Sequence, residues 1–479
     1  MTQSRTRLID RLTQRFGARI AVTDRDLVAP WLTDWRGRFH GESAAILQPE
    51  STQQVAAIVA LANDHGVALV PQGGNSSMVG GATPPSDGSA LIVSLRRMVR
   101  IRSLEPGLAV AEAGVVLTDL HAAADARAMR FPLTLGARGT ATLGGLVSTN
   151  AGGTQVLRFG TMRRLVAGLE AVLPDGSVHD GLSALKKDNR GYDLDQLLIG
   201  AEGTLGIVTA AALALVPAVA VRTVAWVGCA TPHAALALLR LAQARTTIVE
   251  SFELIPGETL ARAVEYLPGA RAPLADAHPW QILIEAASGD PADDPRAVIE
   301  ALLGDALAKG MIADATIAAS EGQAAAFWTL RDSLSAAERA AGPAVQHDIS
   351  VPVAAMPDFI VDAAAATGAR YPGTHATGFG HLGDGNVHFH VRAPAGVDAA
   401  RWYDTDAPGI TRFVHDLVTA AGGSISAEHG IGQMKRDELA RLAPPARMAA
   451  LVAIKRAFDP KGLFNPGKLV SLAPDRQAT

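Results

Sequence analysis

The chain has 479 residues, 48% of them hydrophobic, and a formal net charge of −4. That length exceeds one ordinary domain and supports full-sized cores, so a disordered chain is excluded. No basic run marks a nucleic-acid partner, no apolar run is long enough to cross a bilayer, and the one cysteine, Cys229, has no internal disulfide partner, which fits a reducing compartment.

In chain order, the first twenty residues read as an amphipathic helix whose Arg and Asp interrupt any signal-peptide core. The expected location is therefore cytoplasmic, with peripheral attachment to a membrane left open. Apolar spacing predicts a helix over 52–65, and GVALVPQGG then reads as a strand entering a glycine loop. LIVSLRRMVRI and GLAVAEAGV read as two strands joined by a turn at Glu105-Pro106-Gly107. A helix over 118–129 follows, then a Gly, Thr and Asn-rich stretch over 136–153, and then the hairpin LEAVLPDGSVHD, turning at Pro174-Asp175-Gly176. The texture changes near residue 217, so a domain boundary is placed at about 220. Beyond it, Ala-rich helices alternate with strands such as TVAWVGCA and WQILIEAA. A helix over 327–341, the strand VQHDISVPV and the segment HATGFGHLGDGNVHFHV come next, and FDPKGLFNPGKLV closes the pattern with turns.

Three glycine-rich segments stand out. PQGGNSSMVGG, 71–81, can turn successive N–H groups towards one anion, with Asn75, Ser76 and Ser77 adding side-chain donors; a diphosphate is the natural guest. GTATLGGLVSTNAGGTQVLRFG, 139–160, holds paired glycines twice and a single Arg158. Ordering so much glycine is entropically costly, and close backbone approach to a bulky ligand is the usual offset. LIGAEGTLGIVT places Glu202, Gly206 and Ile207 between a helix-like run and a strand. A fourth match, Gly378-Phe379-Gly380-His381-Leu382-Gly383, fits G-x-G-x-x-G, but strand-like DGNVHFHV follows it where a dinucleotide site needs a helix. A nicotinamide cofactor is not expected.

HLGDGNVHFH carries His381, His388 and His390. Strand alternation puts Asn386, His388 and His390 on one face, and the turn Gly383-Asp384-Gly385 can fold His381 back towards them. SISAEHGIG adds Glu428 and His429. Two imidazoles and a carboxylate are a common ligand set for a catalytic divalent metal, and several histidines clustered with an Asp outweigh the reading of a merely half-exposed polar strand. WTLRDSLSAAERA reads as a helix with Arg331 and Ser335 one turn apart.

The glycine segments, in this order, resemble the FAD-linked oxidoreductases related to vanillyl-alcohol oxidase. The complete motifs G-H-x-G-D-G-N-x-H and A-E-H-G-x-G resemble those of the D-lactate, glycolate and D-2-hydroxyglutarate dehydrogenases within that superfamily. The resemblance implies an α+β fold: an N-terminal helical segment over 1–41, a two-part flavin-binding domain of the PCMH type over 42–219, a cap or substrate domain over 220–425, and a segment over 426–479 that returns to the flavin domain. It implies FAD held by Pro71, Gly73, Gly74, Asn75, Ser76, Ser77, Thr142, Gly145, Ser148, Asn150, Gly152, Gly153, Arg158, Gly160, Glu202, Gly206, Ile207 and Asn465. Some relatives attach FAD through a histidine in the first loop; Asn75 stands there, so non-covalent FAD is expected. His381, His388 and Glu428 become ligands of a divalent metal, zinc being the first expectation, and His429 becomes the general base. Arg331 becomes the substrate-carboxylate ligand, with Ser335, Gln346 and His390 around the rest of the acid.

The implied activity is oxidation of a D-2-hydroxy acid, such as D-2-hydroxyglutarate or D-lactate, to the 2-oxo acid. Electrons would pass to a quinone, a cytochrome or an electron-transfer flavoprotein, and a homodimer is implied. The alternatives are a flavin oxidase using O₂, a non-redox enzyme like alkyl-glycerone-phosphate synthase, and a non-catalytic flavin-binding subunit. Two positions depart from the family pattern: Gln346 stands where relatives commonly carry Lys, and His390 where they often carry Asn. Both bear on which acid is read.

Overall fold

The computed structural model describes residues 3–472. The chain divides into two compact units: one comprises 1–153, 160–217 and 428–479, the other 154–159 and 218–427.

In the first unit, the helix Thr52–His65 starts where Ser51 accepts from the Gln54 N–H, while Gln54 Oε1 accepts from the Glu50 N–H at 2.8 Å. It stops at Gly66, whose φ of 63° is the left-handed cap. The helix packs on a four-stranded sheet in which Ala90–Ser94 lies parallel to both Ile46–Leu47 and Ala68–Gln72. A second, five-stranded sheet is antiparallel and is centred on Ile207–Ala214. The hairpin Val166–Val172 with Val178–Asp180 turns at Pro174–Gly176 as its sequence predicts. Mixed helix and mainly antiparallel sheet make the fold α+β.

Two expectations in this unit are corrected. LIVSLRRMVRI is not one strand: Ala90–Ser94 ends in a turn closed by Met98 N–H to Leu95 O, and Ile101–Glu105 then enters the other sheet. The helix expected over 118–129 spans Leu117–Asp125, because Ala128 takes φ 53° and Met129–Arg130 pairs with Val216–Pro217.

The second unit is built on a seven-stranded sheet whose neighbours are all antiparallel, in the order Asp314–Ile317, Val221–Cys229, Trp280–Ser288, Val249–Pro256, His375–His381, Asn386–Arg392, Ala344–Ser350. One face packs Val387, Phe389 and Val391 with Phe359, Ile360 and Val414. The opposite face packs Phe379 with Phe327, Leu330 and Leu334 of the helix Glu321–Ala340. That helix begins earlier than the expected 327, since Ser320 caps the Gln323 N–H and Gln323 Oε1 accepts from the Ala319 N–H. The glycines at 378, 380 and 383 lie in a strand and its turn, which removes the dinucleotide reading.

Candidate active site

The first unit contains a cavity of about 700 Å³, within the ~300–1,000 Å³ range of cofactor sites. The three glycine segments supply most of its wall, joined by Trp35, Leu135, Glu428, His429 and Asn465. The loops approach so closely that side chains are excluded from their inner faces. A Cβ on Gly74 would stand 1.8 Å from the Thr140 carbonyl oxygen, and one on Gly73 2.1 Å from Thr142 Oγ1. Asn75 adopts φ 52° and its Nδ2 donates to Thr33 O at 2.9 Å. Thr142 Oγ1 and Asn465 Oδ1 are buried without a hydrogen-bond partner among the described residues, and both residues line the cavity. Unsatisfied polar atoms of this kind are costly unless a ligand meets them, so the cavity suits a large polar cofactor.

Glu202 joins the walls. It is buried, with φ 52°. Its N–H donates to Ser148 O at 2.8 Å, and its own carbonyl accepts from Asn465 Nδ2 at 2.7 Å. Asn465 Nδ2 also reaches Gly81 O at 2.9 Å. The two carboxylate oxygens accept from the Ile431 and Gly432 N–H groups, each at 2.7 Å. Burial pushes the Glu202 carboxyl above the usual carboxylate range, against the pull of those two donors and of Lys435 and Lys468. Lys468, buried beside it, is lowered to about 8, by burial first and then by the charge of Arg436. Further on, Lys455 Nζ donates to Thr204 O, Asp459 Oδ2 and Phe464 O.

Of the eighteen residues expected around FAD, fourteen line this cavity. Asn150, Gly153, Arg158 and Gly160 do not. Asn150, at φ 51°, accepts from the Arg163 N–H at 2.9 Å. Gly153 packs against Thr134 O, and Gly160 packs against Arg164 at φ 78°. Arg158 belongs to the second unit, where its guanidinium donates to Glu250 Oε1 and Ala287 O, each at 2.7 Å. A buried acid opposite explains why the lone arginine of that stretch turns there. Sequence reasoning missed Trp35, an indole 63% exposed in the cavity wall. Its loop is held by buried Asp34, which accepts from the N–H groups of Arg36, Arg38 and Phe39.

In the second unit, the hairpin His375–His381 with Asn386–Arg392 pairs Phe379 with His388 and Thr377 with His390. The His381 and His388 rings lie 5.5 Å apart, and Phe379 sits 5.5 Å from His388 and 5.0 Å from His390. The turn thus brings His381 to His388, as its spacing predicts. Behind His381 stands Glu253, which the sequence reading did not single out. Its Oε1 is 2.6 Å from His381 Nδ1, and its Oε2 accepts from Arg331 Nε and Nη2 at 3.0 and 2.8 Å. An acid inside the apolar run IVESFELIP was the available signal.

Burial opposes the charge on Glu253, but Arg331 and His381 outweigh it and hold the carboxyl at about 2. Burial likewise lowers His381, but Glu253 raises it to about 9. His388 lies well below the ordinary histidine value, through burial and then the charges of His381 and Arg331, so it is a neutral ring. Asp384 is raised, chiefly by burial. A carboxylate on Nδ1 orients a histidine to ligate through Nε2, and His388 is already neutral, so these donors suit a divalent ion that displaces the proton Glu253 stabilises on His381.

Gln346 lies directly opposite His390 in the sheet, and its Nε2 is 3.5 Å from Ser335 O, one turn along the helix from Arg331. These four expected substrate residues therefore lie in one unit on adjoining elements.

Residues 43–181 match the FAD binding domain family, and residues 219–469 match the C-terminal domain of FAD linked oxidases. The chain is 36% identical over 457 residues to the mitochondrial D-2-hydroxyglutarate dehydrogenase of Arabidopsis thaliana, covering 95% of this chain and 80% of that protein. It is 36% identical over 451 residues to the bovine (Bos taurus) enzyme of that name, covering 94% and 81%. Its fold is similar to that of a p-cresol methylhydroxylase crystal structure, with a TM-score of 0.76 at 15% identity, covering 99% of this chain and 98% of the other. The relatives' names correct one expectation. They point to the mitochondrion, not the cytoplasm.

Proposed function

We propose, on the premise that this chain belongs to the FAD-linked oxidase family and is an FAD-dependent D-2-hydroxy-acid dehydrogenase within it, that it oxidises a small D-2-hydroxy acid with His429 as base. The observation that carries this reading is that Glu428 and His429 stand in the wall of the same glycine-lined cavity that suits the flavin. FAD, when bound, supplies the acceptor for the hydride leaving the substrate Cα. A divalent metal, zinc first among candidates, supplies Lewis-acid polarisation of the substrate hydroxyl; the sequence motifs assign it His381, His388 and Glu428.

The protein's own residues do the rest. His429 takes the hydroxyl proton, a task suited to an imidazole near neutral pH. Arg331 presents its guanidinium to the substrate carboxylate, while Glu253 fixes the plane of that group. Glu253 also orients the His381 ring through Nδ1. Ser335, Gln346 and His390 read the remainder of the acid. The product is the 2-oxo acid, and the electrons pass on to a quinone, a cytochrome or an electron-transfer flavoprotein. The working assembly is a homodimer.

The test is anaerobic mixing with a panel of D- and L-2-hydroxy acids while the oxidised-flavin band is followed. Bleaching by one D-acid supports the reading; a flavin left oxidised by every acid overturns it. Stoichiometric H₂O₂ in air would turn the assignment to an oxidase.

A further inference from the structure

The geometry points to Glu202 as a positioning residue that fixes the loop carrying His429 against the flavin cradle. This rests on the reading of His429 as base. The loop after His429 runs through Gly430, Ile431 and Gly432. Gly430 and Gly432 take φ of 80° and 54°, so this backbone has little local preference of its own and needs an external anchor. Glu202 is that anchor: one carboxylate oxygen takes the Ile431 N–H and the other the Gly432 N–H, each at 2.7 Å. Gly430 is pressed so near that a Cβ there would meet Glu202 Oε1 at 2.9 Å.

The anchor is itself held at both ends of its peptide unit. Ser148 O receives the Glu202 N–H, and Asn465 Nδ2 donates to the Glu202 carbonyl while also bonding Gly81 O. Ser148, Gly81 and Asn465 all line the cavity. The side chain thus transmits the position of the cradle to the loop two residues beyond the base. Its side chain is spent on backbone N–H groups, which is a different role from binding the flavin with the carboxylate.

The test uses the intact flavoprotein. Glu202→Gln replaces one acceptor oxygen with an NH₂ that cannot accept. Amide exchange at Ile431 and Gly432 is expected to quicken by about tenfold or more, with flavin content and visible spectrum retained. kcat for the responsive acid falls about tenfold or more while KM stays within about twofold, because a displaced base weakens the transition state and not the bound ground state. Glu202→Asp keeps the charge and withdraws it by one methylene, so it is expected to change in the same direction; it also serves if Glu202→Gln does not fold. Exchange unchanged at both amides in either variant overturns the inference, as does loss of flavin with the amides still protected, which would make Glu202 a flavin ligand. If wild type oxidises no acid, the reading of His429 fails, and the exchange and flavin content still decide the case of Glu202.

Discussion

Arg331 donates twice to a single carboxylate oxygen of Glu253, through Nε and Nη2, while the other oxygen of that carboxylate faces His381. One buried acid thereby orients an arginine and a histidine that lie 50 positions apart. Glu253→Gln would leave Arg331, 13% exposed, and His381 without the buried carboxylate that bridges them. Removing one partner of a buried pair costs roughly 3–5 kcal/mol. The expected result is a lower urea midpoint with an unchanged slope; a midpoint equal to wild type would show the pair to be dispensable.

Gly74→Ala tests the cradle. The added Cβ would press on the Thr140 carbonyl, so the first and second glycine segments must separate. Overpacking costs about 1–3 kcal/mol, which corresponds to flavin affinity weaker by about 5- to 150-fold. Equilibrium dialysis against free FAD measures it, and unchanged affinity would remove the cavity as the flavin site.

His429→Ala should keep the flavin spectrum and lose turnover by about 10²–10⁴-fold, the usual scale for a general base. Stopped-flow reduction under anaerobic conditions reads this directly. Reduction at the wild-type rate would exclude His429 from proton transfer.

Gln346→Lys should raise activity on dicarboxylic relative to monocarboxylic D-2-hydroxy acids. Gln346 sits opposite His390 and beside Ser335, so a lysine there adds a cation where the rest of the acid is read. Competition between D-lactate and D-2-hydroxyglutarate gives the ratio of kcat/KM values; an unchanged ratio would place this pair outside substrate recognition.

Acid stability is expected to depend in part on Glu112. Burial raises its pKa, but bonds from the Arg100 side chain and N–H, and from Arg102, bring it below the ordinary carboxylate value. A carboxyl depressed in the folded state contributes stability that is fully present above its unfolded pKa, near 4.3, and is lost as pH falls towards the folded value. The wild-type Tm should therefore fall more steeply between about pH 5 and pH 3 than that of Glu112→Gln. Parallel curves would contradict the assignment.

What was legible in the sequence follows the range over which each signal acts. The helix Thr52–His65 was readable because its apolar residues recur at helical spacing, a local pattern that the caps at Ser51 and Gly66 close at both ends. The His381–His388 approach was readable because a four-residue turn and strand alternation determine it. LIVSLRRMVRI misled because both of its halves are extended, and only pairing to different sheets separates them. Arg158 sat in a glycine-rich segment that otherwise lines the cavity, and Glu250 claims it from 92 positions away. Glu253 stood out only as an acid in an apolar run; its role was hidden for the same reason, since it depends on a neighbouring strand and a helix that no local pattern joins to it.

Asn465 bonds both Gly81 and Glu202, and the strand that leads into the first glycine loop donates its Leu69 N–H to Leu463 O. Gly81 and Asn465 are separated by 384 positions. The cradle is therefore closed by a segment remote in sequence from all three glycine stretches, and it is complete only when the residues around Asn465 have packed against them. A chain truncated before Leu463 is expected to bind FAD more weakly than the full chain in equilibrium dialysis.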